Sequence, residues 1–489
     1  MRSTKRRHPI PVAGMCLLAV TVARAADAKS FSCAAGDTPC LIQAINDANM
    51  SGHHRNTIRL AAGTYTLYDA DNDTDGSNGL PSISSLLTIE VAGKGTAILT
   101  RDVDAPYFRL LHVTASGRLT LRGIAVSNGR IVLGEGGAGV LNRGGDVTID
   151  ECAFLDNSAA RSGGAVKSLG GVVTIIRSVF ARNRSNDGAG GLLNSGGQVT
   201  ITDSVFDQNF GTVGPGALGN LNEGTMRIVA SQITNNGGGF DAGGLIMVGG
   251  SVSIAKTTFA GNYADGGGAI RVGPGTLVVT DSAFVGNRSA YGGTALLVDT
   301  GTVDVTNTTF ACHVLTPNRV GIPHLIINGR GALTLTNSTF FENTVSDEAR
   351  PPGAPLDSLL AGGLDGTTVL QNTILAHAVT ETLLLDCLGS VTSLGNNVIS
   401  EPVMCGITLQ TGDLVGDPGL GAFTEDGTPG NGHFPLLNTS QAIDGGNDEV
   451  CPKRDQIGQL RRGLCDIGAV EFRDKKHDQH DPKDHELQR

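Results

Sequence analysis

From about residue 119 to 377, apolar and polar positions alternate in short runs that recur with a period near 26. Each unit reads Gly-Gly, a short apolar run, x-Val-Thr-Ile, then Ser-x-Phe-x-x-Asn. With Phe154, Phe180, Phe206, Ile233, Phe259, Phe284, Phe310, Phe340 and Ile374 as register marks, the spacings are 26, 26, 27, 26, 25, 26, 30 and 34. Self-similarity at this period predicts a solenoid. Five residues before the marks stand Ile149, Ile175 and Ile201, and seven before stand Val147, Val173 and Val199. Two apolar positions flanking one polar position, here Thr148, Thr174 and Thr200, make a strand with one buried face.

Short strands with no helical period between them predict an all-β fold, a single-stranded right-handed parallel β-helix. Its coils stack at roughly 4.8 Å, so about a dozen coils give a rod on the order of 60 Å long. Like residues then stack on like. Val, Ile and Phe form internal ladders, and Asn157, Asn183, Asn209, Asn236, Asn262 and Asn287 form a polar ladder at a turn. A solenoid needs its ends covered, and a short helix can cover the first one. Thr38 can cap it, Pro39 suits its first position, and Leu41, Ala44, Ile45 and Ala48 line one face.

The Gly-Gly and Phe-x-x-Asn pair resembles the repeats of polymorphic outer-membrane proteins, over roughly residues 119–377. The stretch with Ala44-Ile45, Ala48-Asn49, Thr57-Ile58, Leu60 and Gly63-Thr64-Tyr65-Thr66-Leu67 is similar to the CSLREA domain of exported bacterial β-helix proteins. Its naming motif departs here, with Cys40 one place late, Ile42 in place of Arg and Gln43 in place of Glu. Near the other end, Ser440-Gln441-Ala442-Ile443-Asp444-Gly445-Gly446, Asp455-Gln456, Arg461-Arg462 and Cys465-Asp466-Ile467-Gly468-Ala469 resemble the choice-of-anchor Q domain, with Ile457 in place of the expected Arg. That resemblance implies an exported protein, often held at the cell surface. Residues 473–489 are a charged tail without an apolar segment, so release or loose surface association is expected.

Export is also written at the start. Arg2, Lys5, Arg6 and Arg7 precede the apolar run Val12–Val22 and the small-x-small site Ala23-Arg24-Ala25, the pattern of a signal peptide. The expected organisation is therefore a signal peptide at 1–25, an N-terminal cap and first coils at 26–118, regular repeats at 119–400, a C-terminal segment at 401–472 and the tail at 473–489. Loss of residues 1–25 shifts the formal charge from −11 to −16, and no Lys/Arg stripe appears, which argues against nucleic acid. No later stretch is long enough for a membrane helix, and a monomer is expected.

Eight cysteines lie beyond the signal segment. Cys33 with Cys40, Cys387 with Cys405 and Cys451 with Cys465 are near enough in sequence to pair. Cys152 and Cys312 fall about six coils, or ~30 Å, apart and are expected to stay unpaired.

Four clusters are candidates for chemistry. Asp71-Asn72-Asp73-Thr74-Asp75-Gly76 begins like a calcium loop, with Asp71, Asp73 and Asp75 as ligands, but Ser82 stands where the closing Glu belongs. The plainer alternative is a polar loop with no cofactor. Glu151, Arg177 and Asp203 share one slot on successive coils, an acid–base–acid stripe that suits either catalysis on an acidic sugar or a cross-strand charge ladder. His313 and His377 break the asparagine row, on coils lengthened at 311–324 and 344–358, where insertions are expected to form a partner-binding face. The tail residues His477, Asp478, His480, Asp481, Asp484 and His485 suit metal capture or simply solvation.

Outward slots are mostly Thr and Ser, and the chain has no Trp and five Tyr. The sequence therefore favours a non-enzymatic adhesin or structural component that binds glycans or proteins along its side wall. A polysaccharide lyase or hydrolase with a groove on one face is the alternative.

Overall fold

The structure is a computed structural model that describes residues 28–51, 55–315, 324–346, 357–363, 365–377, 384–402 and 405–473. The signal segment, most of both insertions and the histidine-bearing tail lie outside these residues.

Each coil is built the same way, and the coil that starts at Val172 serves as the example. Val172–Ile176 forms the first strand, and Arg177 turns the chain with φ 45°. Val179–Ala181 follows, Arg182 makes a second left-handed corner with φ 55°, and Arg184–Ser185 forms a two-residue strand. A glycine-rich tip leads to Leu192–Ser195, and Gly196 closes the coil. Stacked coils give a 24-stranded sheet, which holds the first two strands of each coil, with a 7-stranded sheet of short strands and an 11-stranded third wall. The strand pairings between coils are parallel and keep register, as in Ile175 with Ile201, Phe180 with Phe206 and Leu192 with Leu218, except for shifts between Ala61 and Gly63 and between Gly293 and Leu296. This is the right-handed parallel β-helix expected from the repeat.

The core consists of ladders. Phe154, Phe180 and Phe206 stack face to face with centroids 4.8 and 4.5 Å apart, as do Phe259, Phe284, Phe310 and Phe340 at 5.2, 4.9 and 4.5 Å. These distances are the coil spacing itself. Each buried ring contributes roughly 1.5–3 kcal/mol. Two polar ladders run beside them. Each ladder asparagine accepts at Oδ1 from the backbone N and the Nδ2 of the asparagine one coil earlier, at 3.0 and 3.0 Å for Asn157 on Asn183. The small-residue slot behaves likewise, with Cys152 N donating to Ser178 Oγ at 3.0 Å and Ser178 N to Ser204 Oγ at 3.1 Å.

Two sequence expectations change. The helix runs Thr38–Met50 and buries the four expected residues, but its cap is Asp37, whose carboxylate accepts from Cys40 N at 3.0 Å. Asp is as good a cap as Thr, and it sits one residue earlier, where the chain leaves the turn. The register mark of the last regular coil is Leu375 rather than Ile374, because Phe340 pairs with Leu375 and Thr339 with Ile374. The sequence offers two adjacent apolar residues there, and a period of two cannot choose between them. Consequently Thr368 and Leu370 face inward and Val369 outward. Coils are already paired within 26–118, where Ile58 pairs with Ile89 and Ile89 with Leu121.

The disulfides Cys33–Cys40, Cys387–Cys405 and Cys451–Cys465 are formed, and Cys152 and Cys312 are free. Beyond Val415 the chain turns back and runs outside the solenoid, across the corner between the first two strands. Asn396, Asn372, Asn337 and Asn307 all occupy left-handed corner positions and donate side-chain hydrogen bonds to Gly445 O, Asn447 O, Asp466 O and Arg454 O. The returning segment reaches Thr258, whose Oγ1 accepts from Gly430 N at 2.8 Å. Among the described residues, the segment's hydrogen bonds to this corner begin at Gln232, which donates to Gly427 O at 3.2 Å.

Candidate functional site

The acidic loop at 71–76 is held by cations of the same chain. Arg109 is fully buried and donates to Asp75 O at 3.1 Å, Asn78 Oδ1 at 2.8 Å and Glu135 O at 2.6 Å. The Asp75 carboxylate faces His112 at 3.3 Å and Arg143 at 3.5 Å, while Asp73 accepts from the Ser77 hydroxyl and Asp71 from Asn72. Glu135 is bonded to Lys167, which holds its carboxyl below the ordinary range. Among the described residues no three His, Cys, Asp or Glu side chains are placed to hold a metal ion.

Glu151, Arg177 and Asp203 do share one slot, and that slot is the first left-handed corner, with φ 54°, 45° and 49°. The guanidinium of Arg177 turns to Glu151 at 3.1 Å and to Asp150 at 2.5 Å. Asp203 takes part in no ion pair among the described residues. Asp150 also meets Arg122, Arg122 meets Glu90, and Glu90 meets Arg59. Arg177 is thus the last rung of a charge ladder that climbs the first wall.

His313 occupies the asparagine ladder. Its Nδ1 donates to Asn343 Oδ1 at 2.9 Å and its Nε2 accepts from Asn287 Nδ2 at 3.3 Å. Burial pushes its pKa down to about 4, and His324 is likewise lowered to about 4 by burial. His377 lies outside the ladder, because the shifted register places it one slot early, where Nδ1 meets Asp386 at 2.8 Å. A His with a depressed folded pKa adds stability that is full above the unfolded value of 6.5 and drains as pH falls toward 4. Restoring the ladder residue by His313→Asn is therefore expected to remove about 2 kcal/mol of the stability lost between pH 7 and 5. Denaturant melts of both proteins at the two pH values check this; an unchanged pH slope would refute it.

The feature that motif reasoning missed lies on the short-strand edge. Its outward slot follows each ladder asparagine directly and holds Ser158, Arg184, Phe210, Gly237, Tyr263 and Arg288 on successive coils. Phe210 is 38% exposed and Tyr263 47%, and at the neighbouring tips Phe240 and Tyr291 reach 64% and 50%. The described residues expose six aromatic side chains, and these four stand together on consecutive coils. The Phe210 ring lies across Gly237, where a Cβ would come within 2.8 Å of it, so the glycine lets the ring lie flat on the wall. From the other side Arg184 approaches to 5.6 Å of the ring centroid. Beside Phe210 an open cleft of about 360 Å³ is bounded by Asp156, Arg182, Gln208 and Asn235. Arg182 is committed to Asp156 through two bonds of 2.9 Å. Burial and the adjacent Asp265 raise the Tyr263 hydroxyl above its usual pKa. The signal was present as the residue after each asparagine, but it varies from coil to coil and so escapes a search for repetition.

No family model and no curated protein matches the sequence. Two solved structures are similar in coil architecture. Pectate lyase Pel9A aligns with TM-score 0.36 and 15% identity over 91% of this chain and 97% of its own. A mannuronic acid specific polysaccharide family 6 lyase from human gut microbiota aligns with TM-score 0.30 and 13% identity over 68% of this chain and 86% of its own. Both scores are too low to carry a residue or a reaction over to this chain.

Proposed function

We propose that this chain is an exported, non-catalytic β-helix protein, a surface or secreted adhesin or structural component that holds a glycan along its outer wall. The row of exposed aromatics on the short-strand edge carries the proposal. Four rings on consecutive coils, two in the strand slot and two at the tips, expose apolar surface, and rings of this kind bury much area for little lost freedom. A folded monomer gains nothing from leaving them in water. The cleft beside Phe210 adds polar groups that can fix orientation.

Hydrolase or lyase chemistry on the first wall would need Arg177 as a base or anchor, and that guanidinium is already held by Glu151 and Asp150. Both Arg177 and Glu151 are more than half exposed, so Arg177→Ala is expected to cost under about 1 kcal/mol. It should also leave glycan binding unchanged. A glycan array probed with the full chain, run beside a reducing-end assay, tests the proposal. Binding without release of reducing ends is the expected result. Cleavage abolished by Arg177→Ala would establish the enzyme instead.

A further inference from the structure

Resting on that reading, we infer that the short-strand edge takes an anionic polysaccharide, extended along the solenoid axis over Phe210 and Tyr263 with its acidic groups on Arg184 and Arg288. The five residues in the outward slot read Arg184, Phe210, Gly237, Tyr263 and Arg288, cation–ring–gap–ring–cation. Two coil steps separate the rings, about 10 Å, and four separate the arginines, about 19 Å. The two rings are therefore spaced on the scale of a disaccharide, and the arginines bracket a stretch of about four sugar residues.

Charge decides the class of glycan. Of the carboxylates that border the edge, Asp156 pairs with Arg182 and Asp241 with Arg271, while Asp265 lies beside the Tyr263 hydroxyl and takes part in no ion pair among the described residues. Asp187 is exposed near the tip that follows Arg184. Arg184 and Arg288 take part in no ion pair among the described residues. Arg184 rests only on the Phe210 ring, a contact that leaves its N–H fork free. A chain of formal charge −11 repels polyanions in general, so the two arginines beside the exposed rings, each without an ion pair among the described residues, are local points of attraction. Guanidinium groups pair bidentately with carboxylate and sulfate alike. The shared chemistry is a regularly spaced anion on a sugar chain.

The test is direct binding by the full chain to polygalacturonate, dextran sulfate, and the neutral polymers dextran and cellohexaose. Variants are Arg184→Gln with Arg288→Gln, and Phe210→Ala with Tyr263→Ala. All four residues are surface groups, and unchanged melting verifies folding. The inference expects polyanion binding that weakens by about tenfold or more in each double variant, and that falls with salt in the wild type. Preference for polygalacturonate over dextran sulfate would identify carboxylates as the recognised groups, and the reverse would identify sulfates. Neutral polymers bound as tightly as polyanions, with loss only in the aromatic variant, would overturn the anionic inference and leave the glycan proposal standing. Failure to bind any of the four polymers would overturn both.

Discussion

Asn209→Ala is expected to destabilise the solenoid by about 3–5 kcal/mol. Asn209 is fully buried. Its Oδ1 accepts from Asn183 N at 3.1 Å and from Asn183 Nδ2 at 2.9 Å, and its Nδ2 donates to Phe180 O at 2.8 Å and Asn236 Oδ1 at 3.0 Å. Truncation leaves four buried polar groups short of a partner on the two coils that flank Asn209. None can turn to water, because the Phe206 ring and the next coil close the site. Coils in a solenoid are stabilised by their neighbours. Hydrogen exchange should therefore rise first in the coils between Asn183 and Asn236, ahead of any global melt. A loss under about 1 kcal/mol in denaturant titration would show that the ladder is redundant. Cys152→Ser is a useful contrast, because it replaces one small buried group by the residue that fills the same slot on the next coil.

The second large effect concerns the returning C-terminal segment. Arg461 has 4% of its side chain exposed and pairs with Glu471, itself 7% exposed, at 2.9 Å. The same guanidinium donates to Gly468 O at 2.9 Å and, across to the solenoid, to Asn307 Oδ1 at 3.2 Å. Arg461→Ala leaves a buried carboxylate uncompensated, which costs about 3–5 kcal/mol. The expected result is release of residues 416–472 from the wall while the coils stay folded. Limited proteolysis should then cut this segment first, and exchange should rise at Thr309 and Thr339, which it now covers. Burial already raises Asp466 and Glu471 above the usual carboxylate range, with Arg461 opposing. Raised folded values favour the protonated form, so their contribution is present at low pH and drains as pH rises through them. The loss in Arg461→Ala should accordingly be greater at pH 7 than at pH 5. Equal proteolysis of both proteins at pH 7 would refute the clamp.

Much of this architecture is written locally. Period-two apolar pairs such as Val173 and Ile175 dictate which face is buried, and a repeat of fixed length stacks them without reference to the rest of the chain. The asparagine row, the helix and the three disulfide pairs follow from residue type and spacing alone. What fails is the register where Ile374 and Leu375 compete, because both satisfy the local pattern and only the pairing with Phe340 decides.

Function was less legible for the same reason. Repetition makes packing residues conspicuous and hides those that differ from coil to coil. In the sequence Arg177 suits either a catalytic stripe or a charge ladder; its engagement by Glu151 and Asp150, and not by Asp203, depends on which neighbouring strand its side chain leans toward. Phe210 and Tyr263 are 53 positions apart in the chain, yet two coil steps bring them onto one edge. By itself the sequence determined the solenoid, its ladders and its disulfides, since each depends on contacts between residues at a fixed period. Only the tertiary structure decided which wall is covered by the returning segment, which charges are spent on one another, and that the exposed rings and unpaired arginines share an edge. Those depend on meetings between residues with no periodic relation in the chain.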